Sequence, residues 1–488
     1  MPPAHSLDSD FVRDQLIQRT VDFNGKRHNP EGEYVLYWMQ SSHRLDENWA
    51  LRAAVRAANK VGRPLVVHQG LDPTYPHAAD RHHAFILQGA IDTARRAQEL
   101  GLHYQFVLRA RRDDDRRVVD RLAKRAYLVV TDLFPTAGIR ERSERFADRV
   151  GCRVLGVDSV CTVPSGVFRT AEYAARTIRP KLAKLLELSI EEVVDEAPRV
   201  PVSDSLKRSL RETLQCDPLD LLSMNQTTLV RAIAGCEIDH SVSIVADRPG
   251  GSVAAEAILN AFINNGLPEY NEERGNSSFA ESTSELSPYL HFGNISAAAV
   301  VRAARESSAP AASTEAFVQQ VTTWRELSYN WCIRTRDFDQ LSALPEWIRK
   351  TMAAHVNDAR PILYDLDTLE RAATHDEFWN AAQRQLRATG TIHNYARMLW
   401  GKSLLLWTPD YETAREWMFY LNDKWSLDGR DANSVGGIMW CLGLWDRPWG
   451  NKPIWGGIRP MLTPRVKLKF DTGPYLRKWN GTSDQLAL

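Results

Sequence analysis

Residues 34–71 read YVLYWMQSSHRLDENWALRAAVRAANKVGRPLVVHQGL. The opening run, Tyr34–Met39, is six apolar or aromatic residues with no alternation, the pattern of a strand buried on both faces. Residues 46–61 have helical periodicity, and residues 64–71 (PLVVHQGL) read as a second strand. A strand, a helix and a second strand in this order make a parallel crossover unit. The alternation continues outward with a helix over 80–100, a strand over 103–108 and a helix over 115–126. A strand over 127–131, a helix over 137–150 and a strand over 152–157 complete it. Short Val-rich runs between longer amphipathic segments predict a doubly wound parallel sheet, Rossmann-like, covered by helices. No G-x-G-x-x-G follows the first strand, so the usual nicotinamide dinucleotide site is not supported.

A chain of 488 residues exceeds one compact core. Residues 1–30 are polar and are expected to form a flexible arm, and residues 31–188 an α/β domain. Residues 189–250, with the acidic, Pro-containing stretch EEVVDEAPRVPVSD, read as a connector carrying one or two short helices. Residues 251–488 read as a mostly helical domain, with helical spacing or capping signals over 252–265, 296–305, 314–335, 368–373, 376–390, 392–406 and 411–424. Thr374-His-Asp-Glu has the form of a capping box.

Basic and acidic residues both total 61, so net charge neither favours nor excludes nucleic acid. Residues 440–488 are locally basic, which suits a solvated surface or a phosphate contact equally. The six Cys form no C-x-x-C pair; a metal site is not expected, and free thiols in a reducing compartment are. No stretch approaches the ~20 apolar residues of a membrane span, and no signal-peptide pattern opens the chain, so a cytoplasmic location is expected.

Three segments carry chemistry. In Ser284-Glu-Leu-Ser-Pro-Tyr-Leu-His291, hydroxyls and backbone N–H groups ahead of a helix suit an anionic phosphate, or simply cap the helix. In the second, THDEFWNAAQRQLRATGTIHNYARMLWGKSLLLW (374–407), Trp400 and Trp407 lie two helical turns apart on one face, and Trp379 on the preceding helix extends the line. Three indoles at such spacing are either core anchors or an electron relay. The third, Tyr420-Leu-Asn-Asp-Lys-Trp-Ser-Leu-Asp-Gly-Arg-Asp431, is dense in polar groups, and a buried Asp428 needs a partner, for which Arg397 is the candidate.

Together these passages resemble the flavin-binding domain of class II cyclobutane pyrimidine dimer photolyases, within the photolyase/cryptochrome superfamily. Asp46-Glu-Asn-Trp-Ala-Leu51 and Glu172-Tyr-Ala-Ala-Arg-Thr-Ile-Arg-Pro-Lys-Leu182 extend the match over residues 34–470. The resemblance implies a helical domain holding FAD in a bent form, and a second, deazaflavin-type antenna pigment in the α/β domain is the expectation drawn from the family. It implies that Tyr270, Ser284, Leu286 and Ser287 contact the FAD phosphates and that Asn422, Arg397, Asp428 and Asp431 surround the flavin. Trp379, Trp400 and Trp407 would be its electron-transfer chain. Trp324, Met398, Trp440 and Arg274 fall on the lesion pocket, and Arg447, Trp449 and Arg459 on residues that hold the opened duplex of UV-damaged DNA. A monomer is the family expectation.

Four positions depart from the pattern. Gln320 stands where class II enzymes carry a Glu that hydrogen-bonds the dimer; an amide still donates and accepts but supplies no proton. The family's G-G-x-H-D-R becomes Gly443-Leu-Trp-Asp-Arg447, Met-His-Gly becomes Ile392-His-Asn394, and Pro460 follows Arg459 in place of Tyr. A photoreceptor, or a flavoprotein repurposed for other light-driven chemistry, is therefore the alternative to dimer repair.

Overall fold

The computed structural model describes residues 15–275 and 283–481. Among these the strands form one sheet: β1 (Thr20–Asp22), β2 (Tyr34–Met39), β3 (Leu65–Leu71), β4 (His103–Leu108), β5 (Ala126–Asp132) and β6 (Arg153–Val157). Their order is β1-β6-β5-β2-β3-β4. All neighbours are parallel except β1, which pairs antiparallel with β6. Every residue of β2 is buried, as its uninterrupted apolar run requires. One face packs Tyr34, Leu36 and Val129 with Phe146; the other packs Val35, Tyr37 and Val130 with Leu51, Ala54 and Val55 of the first crossover helix.

That helix, Trp49–Val61, begins three residues later than its periodicity. Asn48 sets the start, its side chain accepting the Leu51 N–H at 3.0 Å. Gly62 ends it at φ 64°, a left-handed position that a glycine occupies without strain. Part of the expected N-terminal arm is instead structured: residues 20–22 complete the sheet edge, and buried Arg19 donates to the carbonyls of Cys161 (2.8 Å) and Thr162 (2.6 Å). The remaining residues of that arm, 1–14, lie outside the described residues.

The chain divides into two compact units. The first takes residues 1–169, 182–257 and 286–303, and holds the sheet. The expected connector supplies it with helices Asp204–Leu214 and Gln226–Ala234. The second takes, among the described residues, 170–181, 258–275, 283–285 and 304–481, and is helical. Its centre is helix Arg325–Arg334, helices Glu377–Thr389, Asn394–Trp407 and Tyr411–Trp425, and helix Ala432–Cys441.

Candidate functional site

Two of the three chemistry-bearing segments, residues 374–407 and 420–431, lie inside the second unit, and the segment 284–291 is divided between the units. The 377–389 helix is capped by Asp376, which accepts the Trp379 N–H at 2.9 Å, and not by Thr374. Thr374 instead accepts the Asp376 N–H at 3.1 Å and bonds Asn380, locking the turn that delivers Trp379. The ring of Trp379, wholly buried, lies parallel to Trp400 at 6.2 Å between centroids, and edge-on to Trp407 at 5.5 Å. Trp379 therefore bridges the two indoles of the next helix; it does not extend their line. Its Nε1 donates to the Trp400 carbonyl (3.0 Å), and Trp400 Nε1 donates to Gln383 Oε1 (2.9 Å). At the outer end, Trp407 meets the rings of Tyr364 (5.6 Å) and His375 (5.4 Å), and the Tyr364 hydroxyl is bonded to His375 Nδ1 at 2.6 Å. Sequence spacing gave no sign of this pair, because Tyr364 lies in a separate loop.

Arg397 reaches Asp428 with one Nη2, 3.1 and 3.2 Å from the two carboxylate oxygens. The Ser426 hydroxyl also donates to Asp428, and the Ser434 hydroxyl donates to its backbone carbonyl at 2.7 Å. Gly429 makes the approach possible: a Cβ there would lie 2.9 Å from Asp423 Cα and 3.0 Å from the Asn422 carbonyl. The turn thus presses residues 428–431 against buried Asn422, whose Nδ2 donates to Asp423 Oδ1 (2.9 Å). Asp431 accepts the Tyr329 hydroxyl (2.8 Å) and caps the 432–441 helix through the Asn433 N–H (2.7 Å). Burial holds the His393 imidazole neutral, its pKa pushed down to about 4, with the Arg274 backbone offsetting part of that. A balanced carboxylate, a buried amide and a neutral imidazole form a polar set that suits a flavin ring with its hydrogen-bonding edge.

Tyr270, also expected at the cofactor, is buried edge-on between Phe262 (5.8 Å) and Phe317 (5.4 Å). Ser284 belongs to the second unit; Leu286, buried, and Ser287, exposed, open the short Ser287–His291 helix of the first.

Gln320 and Trp324 bound a π-helical turn, in which the Arg325 N–H donates to the Gln320 carbonyl five residues back. Such turns widen a helix locally and recur at functional sites. Trp324 keeps 38% of its surface exposed. Met398 and Trp440 are half-buried. Trp445 lies edge-on to Trp331 at 6.3 Å, over the contact between Ser328 and Gly436, and at φ 63°. It does not seal Trp324. Trp449, 37% exposed, has the guanidinium carbons of Arg447 and Arg459 at 4.8 and 4.6 Å from its ring centroid; its Nε1 donates to Asp446 Oδ1 at 2.9 Å. Arg274 is exposed.

The first unit has a second cluster of buried polar groups, which the sequence did not flag. β2 lies next to both β3 and β5, so its carboxyl end borders the point where the strand order reverses, the usual ligand crevice of such sheets. There Asp132 accepts the backbone N–H groups of Gln40 (2.7 Å) and Ser41 (2.8 Å) and the Tyr37 hydroxyl (2.9 Å). Gln40 Oε1, Ser41 Oγ, Ser42 Oγ, His43 Nδ1 and Thr136 Oγ1 are buried without a hydrogen-bond partner, a surplus that suits a polar ligand.

No group of three or more His, Cys, Asp or Glu side chains able to hold a metal is found among the described residues, and no described helix is long and apolar enough to cross a membrane.

Comparison with known proteins adds three findings. The DNA photolyase family profile matches residues 35–201. A deoxyribodipyrimidine photo-lyase from Methanothermobacter thermautotrophicus is 33% identical over 470 residues, 96% of this chain and 99% of its own. One from Potorous tridactylus is 32% identical over 455 residues, 92% of this chain and 81% of its own. Among solved structures, a class III photolyase from Agrobacterium tumefaciens superposes with a TM-score of 0.64 at 18% identity, covering 92% of this chain and 87% of that one. A Synechocystis cryptochrome superposes at 0.67 with 17% identity, covering 91% and 88%. At these identities the two structures speak to fold alone, and they come from both functional branches.

Proposed function

The chain belongs to the photolyase/cryptochrome superfamily, and from that premise we propose that it is a light-driven flavoprotein of the class II photolyase type that splits cyclobutane pyrimidine dimers in DNA. The observation that carries repair over photoreception is the half-exposed Trp449 with the guanidinium groups of both Arg447 and Arg459 at its ring. Two guanidinium groups beside a flat ring suit phosphates flanking a gap in a base stack. The unsealed Trp324, with Met398 and Trp440, suits a flipped pyrimidine pair by offering apolar stacking surface.

On this reading FAD, when bound, supplies the chromophore and the electron that opens the cyclobutane ring. The protein's own groups do the rest. Arg397 and Asp428 present a neutral, oriented ion pair to the flavin, and Asn422 offers an amide that can donate or accept. The buried Trp379, Trp400 and Trp407 pass an electron inward from the surface. Gln320 donates its amide N–H to a pyrimidine carbonyl; with no carboxyl proton there, it stabilises developing negative charge by hydrogen bonding alone. The first unit serves as the antenna domain, the polar cluster at 40–43 facing a deazaflavin-type pigment, and the second as the catalytic domain of a cytoplasmic monomer.

Gln320 and Trp445 favour a second reading, a photoreceptor that keeps the flavin but not repair. Binding in the dark separates the two. A dimer-containing duplex is expected to be held at least ~100-fold more tightly than undamaged duplex of the same sequence, which corresponds to about 2.7 kcal/mol. Equal affinity for the two would rule out the repair reading.

A further inference from the structure

Lys402 is the most fully buried lysine of the second unit. It is 0% exposed, and its Nζ has no hydrogen-bond partner. It stands 4.9 Å from the centroid of Trp440. Among the described residues no carboxylate lies within ion-pair distance of Lys402. Asp446 favours its charge from farther away, Cys441 acts in the same sense, and Arg459 opposes them. Asp446 Oδ1 accepts the Trp449 Nε1–H and the Arg447 N–H, each at 2.9 Å, and its Oδ2 is buried with no hydrogen-bond partner among the described residues. Burial lowers the amine only to about 8, so most of it is an ammonium at neutral pH. A buried charge whose counter-charge stands beyond ion-pair distance is costly to keep, and an apolar side chain of similar length would pack there without that cost.

The three indoles of the proposed relay have the opposite surroundings. Among the described residues no cation stacks on Trp379, Trp400 or Trp407, and the first two donate their ring N–H to neutral oxygens. Such an oxygen stabilises an indole that has lost an electron. A cation beside the ring destabilises it. Two indoles near the same region that lie outside the relay, Trp440 and Trp449, both carry cations.

We propose that Lys402 is a positioning residue for the electron route: its ammonium keeps Trp440 reduced, confining light-driven oxidation to Trp379, Trp400 and Trp407 and leaving Trp440 intact as a stacking surface. The inference rests on the functional reading above, in which Trp440 lines the lesion pocket. The step it blocks is simple. An indole gives one electron to an oxidant, becomes a radical cation, and then loses its ring N–H proton to water. At an effective dielectric constant of about 20, a unit charge 4.9 Å away opposes that positive charge by roughly two orders of magnitude in equilibrium constant.

The test uses an oxidant independent of any cofactor, so that it stands apart from the photolyase reading. Ruthenium(III) tris-bipyridine, generated by light with pentaamminechlorocobalt(III) as the terminal electron acceptor, takes one electron at a time from the purified full-length protein. Peptide mass spectrometry then reads oxygenation at each tryptophan. Trp440 is half-buried and Trp400 buried, so access alone favours oxidation of Trp440. The expectation is the reverse: in the natural protein Trp440 is oxygenated far less than Trp400. Lys402→Met raises the Trp440-to-Trp400 ratio at least tenfold, and Lys402→Arg, which keeps the charge, leaves it near the natural value. An unchanged ratio in folded Lys402→Met protein overturns the proposal. Should that variant fail to fold, Lys402→Gln replaces it; in any case, natural protein in which Trp440 is oxygenated as readily as Trp400 overturns the proposal directly. Absence of a flavin absorption band, or of dimer repair, would count against the functional reading and leave this ratio unaffected.

Discussion

Removing the guanidinium of Arg397 with Arg397→Met leaves the Asp428 carboxylate facing an apolar chain. The two side chains are 21% and 9% exposed, so the pair is mostly desolvated. Breaking a fully buried pair from one side costs about 3–5 kcal/mol. Here the cost is reduced, because Asp428 keeps the Ser426 hydroxyl and Arg397 is partly in water. The structure therefore gives about 2–3 kcal/mol. Thirteen of the 15 tryptophans follow residue 320, so intrinsic fluorescence reports mainly on the second unit. Urea unfolding followed by fluorescence should show a lower midpoint with unchanged slope. Arg397→Met combined with Asp428→Leu should recover at least half of the loss, since no charge is then stranded. A loss under about 0.5 kcal/mol in the single variant would mean that water screens the pair as it does a surface ion pair, and the reasoning would fail.

Other predictions follow from single contacts. Trp379→Phe removes the parallel stack and the N–H bond to Trp400, so transient absorption should show light-driven flavin reduction at least ~10-fold less efficient, at the roughly 1.4 kcal/mol per decade scale; an undiminished yield would exclude Trp379 from the route. The pKa of Lys402 is lower folded, at about 8, than its ordinary value of 10.5, so the unfolded chain binds the extra proton between those values. Stability should therefore rise from pH 8 to 10.5, by about 3 kcal/mol from this group, and Lys402→Met should remove that rise; a rise identical in both proteins would refute it. Gly436→Ala places a methyl 2.3 Å from Ser328 Oγ and 3.1 Å from the Trp445 ring, and should cost about 1–3 kcal/mol in thermal unfolding. Arg447→Gln should weaken duplex binding uniformly across sequences and make the salt dependence shallower by about one unit of slope in log–log titration; an unaltered slope would remove Arg447 from the phosphate contacts.

Much of this was legible because burial constrains sequence strongly. β2 reads as an unbroken apolar run because both faces of a parallel strand are covered, and Asp428 pointed to Arg397 because a desolvated carboxylate needs a cation. What sequence could not supply was the geometry between elements. Helical spacing put Trp400 and Trp407 on one face but could not tell that Trp379 sits between them. Thr374 matched a capping box, yet Asp376 won the cap because its side chain was free to reach the Trp379 N–H while Thr374 was engaged with Asn380. The π-turn at 320–324 leaves no periodic signature. Lys402 gives no sign in its apolar stretch of being buried until the helices around it are placed. The edge strand at 20–22 is too short for any alternation to show, and a polar neighbourhood masked it.

The central claim is dimer splitting, and light-dependent repair tests it most directly. A duplex carrying one thymine dimer is incubated with photoreduced protein, in blue light and in the dark, with Gln320→Glu protein alongside, and restored thymines are counted by chromatography. The account predicts multiple turnovers in light, none in the dark, and repair by the natural Gln320 protein as well as by the variant. Bound, photoreducible flavin with no restored thymines in either protein would contradict it; repair in the variant alone would place the loss at residue 320.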